Sequence, residues 1–144
     1  MEVQVSGPAV PRFSRAAIRD FAVASLRAVR RAGAARWAPR ELSIAFVDDA
    51  VMKKLNRRYR SQARTTDVLT FEGEETPEGR PLGEIVISID QAKRQAAAEG
   101  HALATEVRYL ILHGILHAFG WDHEADSGEM DALELKLRPR VGLD

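Results

Sequence analysis

Polar and apolar residues alternate over residues 2–6, EVQVS, and again over 41–47, ELSIAFV, where Leu42, Ile44 and Phe46 share a face; both segments are predicted strands. Between them the period changes to that of a helix. Ser14 is a suitable N-cap, and a helix from there to about Arg31 turns Ile18, Phe21, Ala22, Ser25 and Val29 inward and Arg15, Arg19, Arg27 and Arg30 outward. Gly7-Pro8 ends the first strand and Gly33 ends the helix. Asp48 then caps a helix to about Tyr59, with Val51, Met52, Leu55 and Tyr59 pointing inward. Two further strands are expected at 67–71, DVLTF, and 83–89, GEIVISI, joined by the acidic loop EGEETPEGRPL. A helix from Asp90 to about Glu99 stops at Gly100, and the next begins near Ala102, carrying Val107, Leu110, Ile111 and Leu116. A last helix, about Ser127 to Leu137, places Met130, Leu133 and Leu137 on one stripe and stops at Pro139. Strands and helices interleave, so the class is α+β or α/β.

The length of 144 residues suits one domain with its own core. Cysteine is absent, which excludes disulfides and thiolate metal ligands. The N-terminus lacks a basic region followed by an apolar run, and no stretch reaches membrane-spanning length, so a soluble cytoplasmic protein without a membrane partner is expected. The net charge is zero but unevenly spread: residues 1–64 carry +9 and residues 65–144 carry −9. A basic half suits contact with nucleic-acid phosphates and equally suits a merely solvated face.

The chemistry concentrates in residues 113–123, HGILHAFGWDH. His113 and His117, at i and i+4, stack on one helix face. Gly120 is the residue type that ends helices, because it enters the left-handed conformation without a Cβ penalty. The chain then reverses and His123 swings back towards the pair, so three imidazoles converge on a metal site. Three nitrogen donors suit one Zn²⁺ first, with nickel, iron or copper also compatible, and they leave a fourth position open as in catalytic sites. The ligand spacing is that of the metzincin proteases, but their general-base Glu is here Gly114, which removes the proton acceptor for peptide hydrolysis. Asp122 is either a partner that orients a histidine or a solvated turn residue.

A second concentration is LNRRYRSQARTTDVLTF, residues 55–71. Arg60 has a fork that fits phosphate oxygens, and it also suits a cation at a helix C-terminus. Asp67 reads as structural. Glu106 lies two turns before His113 on the same face, either as an acid behind the ligands or as an exposed acid near a helix start. His101, beside Gly100, reads as a loop residue; either His101 or Glu106 would close the fourth metal position if it reached the site.

Three motifs together resemble the YbeY family of bacterial endoribonucleases, also described as rRNA maturation factors. The first is the pattern of His113, Gly114, Leu116, His117, Gly120, Trp121, Asp122 and His123; the second is Leu55, Asn56, Tyr59, Arg60, Thr66, Asp67, Val68, Leu69 and Phe71. The third is Leu82-Gly83-Glu84-Ile85 followed by Gln91-Ala92. The resemblance spans about residues 41 to 130. Thr70 stands where the family usually has Ser, and Glu72 where Pro often follows Phe71. The resemblance implies an α+β, zincin-like single domain over 1–144, with a small mixed sheet of about four strands and about five helices. It implies a hydrolase: a zinc-dependent endoribonuclease with zinc on His113, His117 and His123 and with Arg60 as the catalytic arginine. Its substrate would be single-stranded rRNA, cleaved in 3′-end processing of small-subunit rRNA and in ribosome quality control, with the small subunit and assembly factors as partners. The alternatives are an assembly factor with a structural zinc, and a zincin-like hydrolase of peptides or small molecules.

Overall fold

The computed structural model describes residues 2–60, 68–122 and 125–144, except for the side chains of Tyr59, Arg60 and Glu72. The chain runs through β1 (Glu2–Ser6), α1 (Arg15–Arg31), β2 (Glu41–Val47), α2 (Asp49–Arg60), β3 (Val68–Glu72) and β4 (Gly83–Ser88). It continues through α3 (Ile89–Glu99), α4 (Leu103–Ala118), α5 (Glu129–Leu137) and a closing 3-10 helix, Arg138–Val141.

Three of the helices start where a side chain satisfies one of their first N–H groups. Ser14 Oγ accepts from the Ala17 N–H at 3.1 Å, Asp48 Oδ1 from Val51 at 2.9 Å, and Ser88 Oγ from Gln91 at 3.1 Å. The Ser88 cap explains why the fourth strand stops one residue short of the predicted Ile89, which opens α3 instead. The last helix also begins later than the predicted Ser127. Gly128 is its N-cap, and the carboxylate of Asp126, two residues earlier, accepts from the N–H groups of Gly128 and Met130 at 2.9 Å each. Pro139 does not end the chain's winding; it sits at the start of the 3-10 helix, where a missing N–H costs nothing.

The four strands form one mixed sheet in the order β1-β2-β4-β3. β1 pairs parallel to β2 and β2 parallel to β4, while β3 runs antiparallel along β4 at the edge. The larger core lies on one face, where Leu42, Ile44, Phe46, Ile85 and Ile87 meet α1 and α4. On the other face Met52 of α2 packs with Leu69 and Val86 in a smaller cluster. Central β4 is therefore buried continuously from Ile85 to Ser88, whereas β2 alternates between buried and half-buried positions. Each buried Ile or Leu contributes roughly 1.5–3 kcal/mol relative to exposure.

α2 corrects one expectation. Met52 is fully buried and Leu55 half-buried, but Val51 is 42% exposed. The inward stripe is Met52, Leu55 and Asn56, and Val51 falls one position, about 100°, off it. No helix among the described residues is long and apolar enough to cross a membrane.

Candidate metal centre

α4 is apolar on most sides because it is packed by α1, α3, α5 and the sheet. His113 and His117 are the polar exceptions on its C-terminal half, both half-buried. The helix ends as expected at Gly120. Its φ is +91°, its N–H donates to the His117 carbonyl at 2.8 Å, and the Trp121 N–H donates to the Leu116 carbonyl at 3.1 Å. These two bonds form a Schellman motif, which turns the chain sharply away from the helix axis. Trp121 fixes that turn: its Nε1–H donates to the Ala34 carbonyl at 3.2 Å, and the Arg36 guanidinium lies 4.7 Å from the centre of its ring.

The two histidines aim the same nitrogen at the same place. His113 Nε2 and His117 Nε2 lie 3.1 Å apart, with the rings edge to face at 77°. Two imidazole nitrogens sharing one tetrahedral Zn²⁺ at ordinary bond lengths stand about 3.3 Å apart. On its other side, His113 Nδ1 is 2.6 Å from Glu134 Oε1, on α5. Glu134 Oε2 in turn accepts from Arg138 Nη2 at 2.9 Å. Burial works to raise the Glu134 carboxyl, but the hydrogen bonds of His113 and Arg138 and the charge of Arg138 outweigh it and hold it below the usual carboxylate range. An ionised Glu134 accepts only, so the proton of neutral His113 sits on Nδ1 and its Nε2 presents a lone pair. A carboxylate behind a histidine, fixing tautomer and orientation, is the usual support of a metal-bound imidazole. The donor set fits a divalent transition metal.

Glu134 was not among the residues that the sequence singled out. Its one trace there is its place four residues after Met130 and one after Leu133, within the inward stripe of the last helix.

Gly114 has a positive reason to be glycine. A Cβ there would lie 2.9–3.1 Å from three side-chain atoms of Ile85, so α4 rests directly on β4 at this point. The general-base glutamate of the metzincin pattern has no room at this position.

The remaining candidates divide. Glu106 does not support His113. It is 4% exposed and bonds His101 Nε2 through Oε1 at 2.7 Å. His101 sits in the bend between α3 and α4 as expected, its ring against Tyr109 at 5.6 Å between centres. Glu99, His101 and Glu106 each bring a ligand atom within 4.8 Å of the others, a second group able to hold a metal ion. A cleft of about 410 Å³ connects both regions, lined by His101, Glu106, Tyr109, His113, Glu134 and Arg138 among others. Asp122 is exposed, and its carbonyl accepts from the Ala125 N–H at 3.2 Å in the turn after α4. Arg60 is the last residue of α2. Its side chain lies outside the described residues, as do Thr66, Asp67 and His123.

Comparison with known proteins agrees with this arrangement. A family model described as Endoribonuclease YbeY matches residues 12–141. The chain is 45% identical over 104 residues to the Endoribonuclease YbeY of Nautilia profundicola, covering 72% of this chain and 74% of that protein. It is 42% identical over 99 residues to that of Campylobacter jejuni, covering 69% and 74%. In fold it is similar to the solution structure of TM1509 from Thermotoga maritima, with a TM-score of 0.64 at 24% identity over 96% of this chain and 88% of the other. A family match over nearly the whole chain, carried by relatives above 40% identity, places this protein in the endoribonuclease YbeY family.

Proposed function

We propose that the chain is a metal-dependent endoribonuclease that hydrolyses phosphodiester bonds in single-stranded rRNA during maturation of the small ribosomal subunit. The observation that carries the proposal is the convergence of His113 Nε2 and His117 Nε2 at 3.1 Å, with His113 Nδ1 held by Glu134. The endoribonuclease names of its relatives support RNA as the substrate. Residues 1–144 act as one domain, in the cytoplasm, on small-subunit rRNA 3′ ends and in ribosome quality control beside assembly factors.

His113, His117 and His123 hold one Zn²⁺ or another divalent transition metal. When bound, such an ion supplies Lewis acidity to a phosphoryl oxygen and lowers the pKa of a water. Glu134 keeps the His113 proton on Nδ1, and Arg138 keeps Glu134 charged. Arg60 offers two parallel N–H donors to the oxygens on which charge develops. The tight contact of Gly114 with Ile85 counts against the peptidase alternative, since the general-base acid of that pattern does not fit at position 114.

Cleavage of a labelled single-stranded RNA by the purified protein tests the proposal. Activity is lost on chelation and returns with zinc, and Arg60→Ala lowers kcat by ~10²–10³ with little change in KM. Arg60→Lys recovers only part, because an ammonium lacks the fork. Full metal occupancy without cleavage points instead to an assembly factor with a structural ion.

A further inference from the structure

A second basic feature lies away from the histidines. Ala24, Arg27, Ala28 and Arg31 follow one another at i, i+3, i+4 and i+7 along a single stripe of α1. Arg140 of the 3-10 helix faces this stripe, and the five residues line a cavity of about 520 Å³. Two alanines and three arginines thus line it. The cavity shares no lining residue with the cleft at His113.

All three arginines are exposed, and an anion between them would relieve their mutual repulsion. Arg27 and Arg31 are like charges at i and i+4, an arrangement that destabilises a helix. Arg140 brings a third positive charge from an element remote in sequence. No carboxylate lines the cavity, and none of the three arginines has an ion-pair or hydrogen-bond partner among the described residues. Arg94 and Arg138 differ: each is paired with an acid. The helix dipole accounts for Arg31, in the last turn of α1, but not for Arg27, a turn earlier, or for Arg140. Arg140 is not there by chance of a loose tail. Leu137 and Leu143 on either side of it are buried, and the Leu143 N–H donates to the Arg138 carbonyl at 2.8 Å.

The 3-10 helix joins the two regions. Arg138 lines the cleft and Arg140 lines the arginine cavity; two residues apart on a 3-10 helix, they point about 120° apart around its axis. A polyanionic strand that leaves the cleft and passes over this helix meets Arg140 next.

We infer that Arg27, Arg31 and Arg140 form an outlying site for backbone phosphates of the same single-stranded RNA, engaged by nucleotides beyond the scissile bond. The site sets how long a strand must be to bind well. This inference rests on the ribonuclease proposal, but its test does not need cleavage.

The test is binding of labelled 2′-O-methyl RNA, which is not cleaved, to the metal-loaded protein at several salt concentrations. A short and a long oligonucleotide are compared on wild type, on Arg27→Glu with Arg31→Glu, and on Arg140→Glu. The long strand should bind the variants at least ~10-fold more weakly, with the salt slope smaller by about 0.7 for each phosphate that the arginines no longer neutralise, and the short strand should bind as before. Arg27→Ala with Arg31→Ala gives the same direction without introducing acids. Arg19→Glu with Lys93→Glu, an equal change of net charge at exposed positions outside the cavity, should leave most of the long-strand affinity. Equal weakening by this control pair overturns the site in favour of diffuse attraction. Unchanged long-strand binding in the cavity variants overturns it outright. If those variants instead lose binding to phosphatidylserine vesicles while RNA binding stays, the cavity serves a lipid surface and the inference is wrong. Failure of the ribonuclease proposal appears separately, as a wild type that binds the long strand and never cuts unmodified RNA.

Discussion

Two histidine–glutamate pairs line the same cleft, and they differ in which ring nitrogen meets the carboxylate. His113 bonds Glu134 through Nδ1, which leaves Nε2 directed at a second imidazole. His101 bonds Glu106 through Nε2, and its ring rests on Tyr109. The distances are nearly the same, 2.6 and 2.7 Å. What differs is what the bond leaves over. Glu134 prepares a lone pair opposite another donor, whereas the Glu106 bond occupies the nitrogen nearest the other acids. A histidine's partner therefore says little about function until the free nitrogen has been located. The two pairs also arise differently: His101 and Glu106 are five residues apart across a helix start, and His113 and Glu134 are twenty-one apart on different helices.

The comparison breaks most readily on metal content. His117→Ala should lower bound metal from about one equivalent to well under half, while His101→Ala leaves it unchanged. Elemental analysis of the purified variants decides, and loss of the ion in the His101 variant would move the centre to Glu99, His101 and Glu106. A smaller effect is expected one atom further out. Glu134→Gln should weaken metal binding ~10–100-fold in competition with a chelator, since it removes the charge that fixes the His113 tautomer. Glu106→Gln should not change metal affinity and should instead cost about 1–3 kcal/mol of folding stability, read by urea titration. If both substitutions weaken metal equally, the two pairs are not distinct in role. The smallest effect lies beneath the histidines. Gly114→Ala gains up to about 1 kcal/mol of helix propensity but crowds Ile85, and overpacking of that kind costs about 1–3 kcal/mol. A net loss near ~1 kcal/mol with metal retained is the expected result, and a stabilised variant would show that α4 has slack against β4.

Local order was legible in the residues. Ser14, Asp48 and Gly120 each act through hydrogen bonds within a few positions of themselves, so a capping hydroxyl, a capping carboxylate and a left-handed glycine announced the element ends. The i, i+4 spacing of His113 and His117 brought them together for the same reason, because a helix alone dictates that neighbourhood. Periodicity also located the strands, and it failed where one position matters: Val51 and Met52 are both apolar, and only the placement of α2 on the sheet says which one is inward.

Tertiary packing decided the rest. From spacing alone Glu106 suited either an acid behind His113 or an exposed acid near a helix start; it is buried instead against His101, in the bend after α3, and α5 brings Glu134 to His113. Gly114 read as a missing catalytic acid; the approach of β4 makes it a packing requirement as well. Arg140 belongs to the acidic half of the sequence yet completes an arginine cluster on α1. Apart from His101 and Glu106, five residues apart across a helix start, these partners are far apart along the chain, and their meeting depends on how whole elements bury their apolar faces against one another. Residue type and spacing set the first kind of contact, while the shared hydrophobic core sets the second.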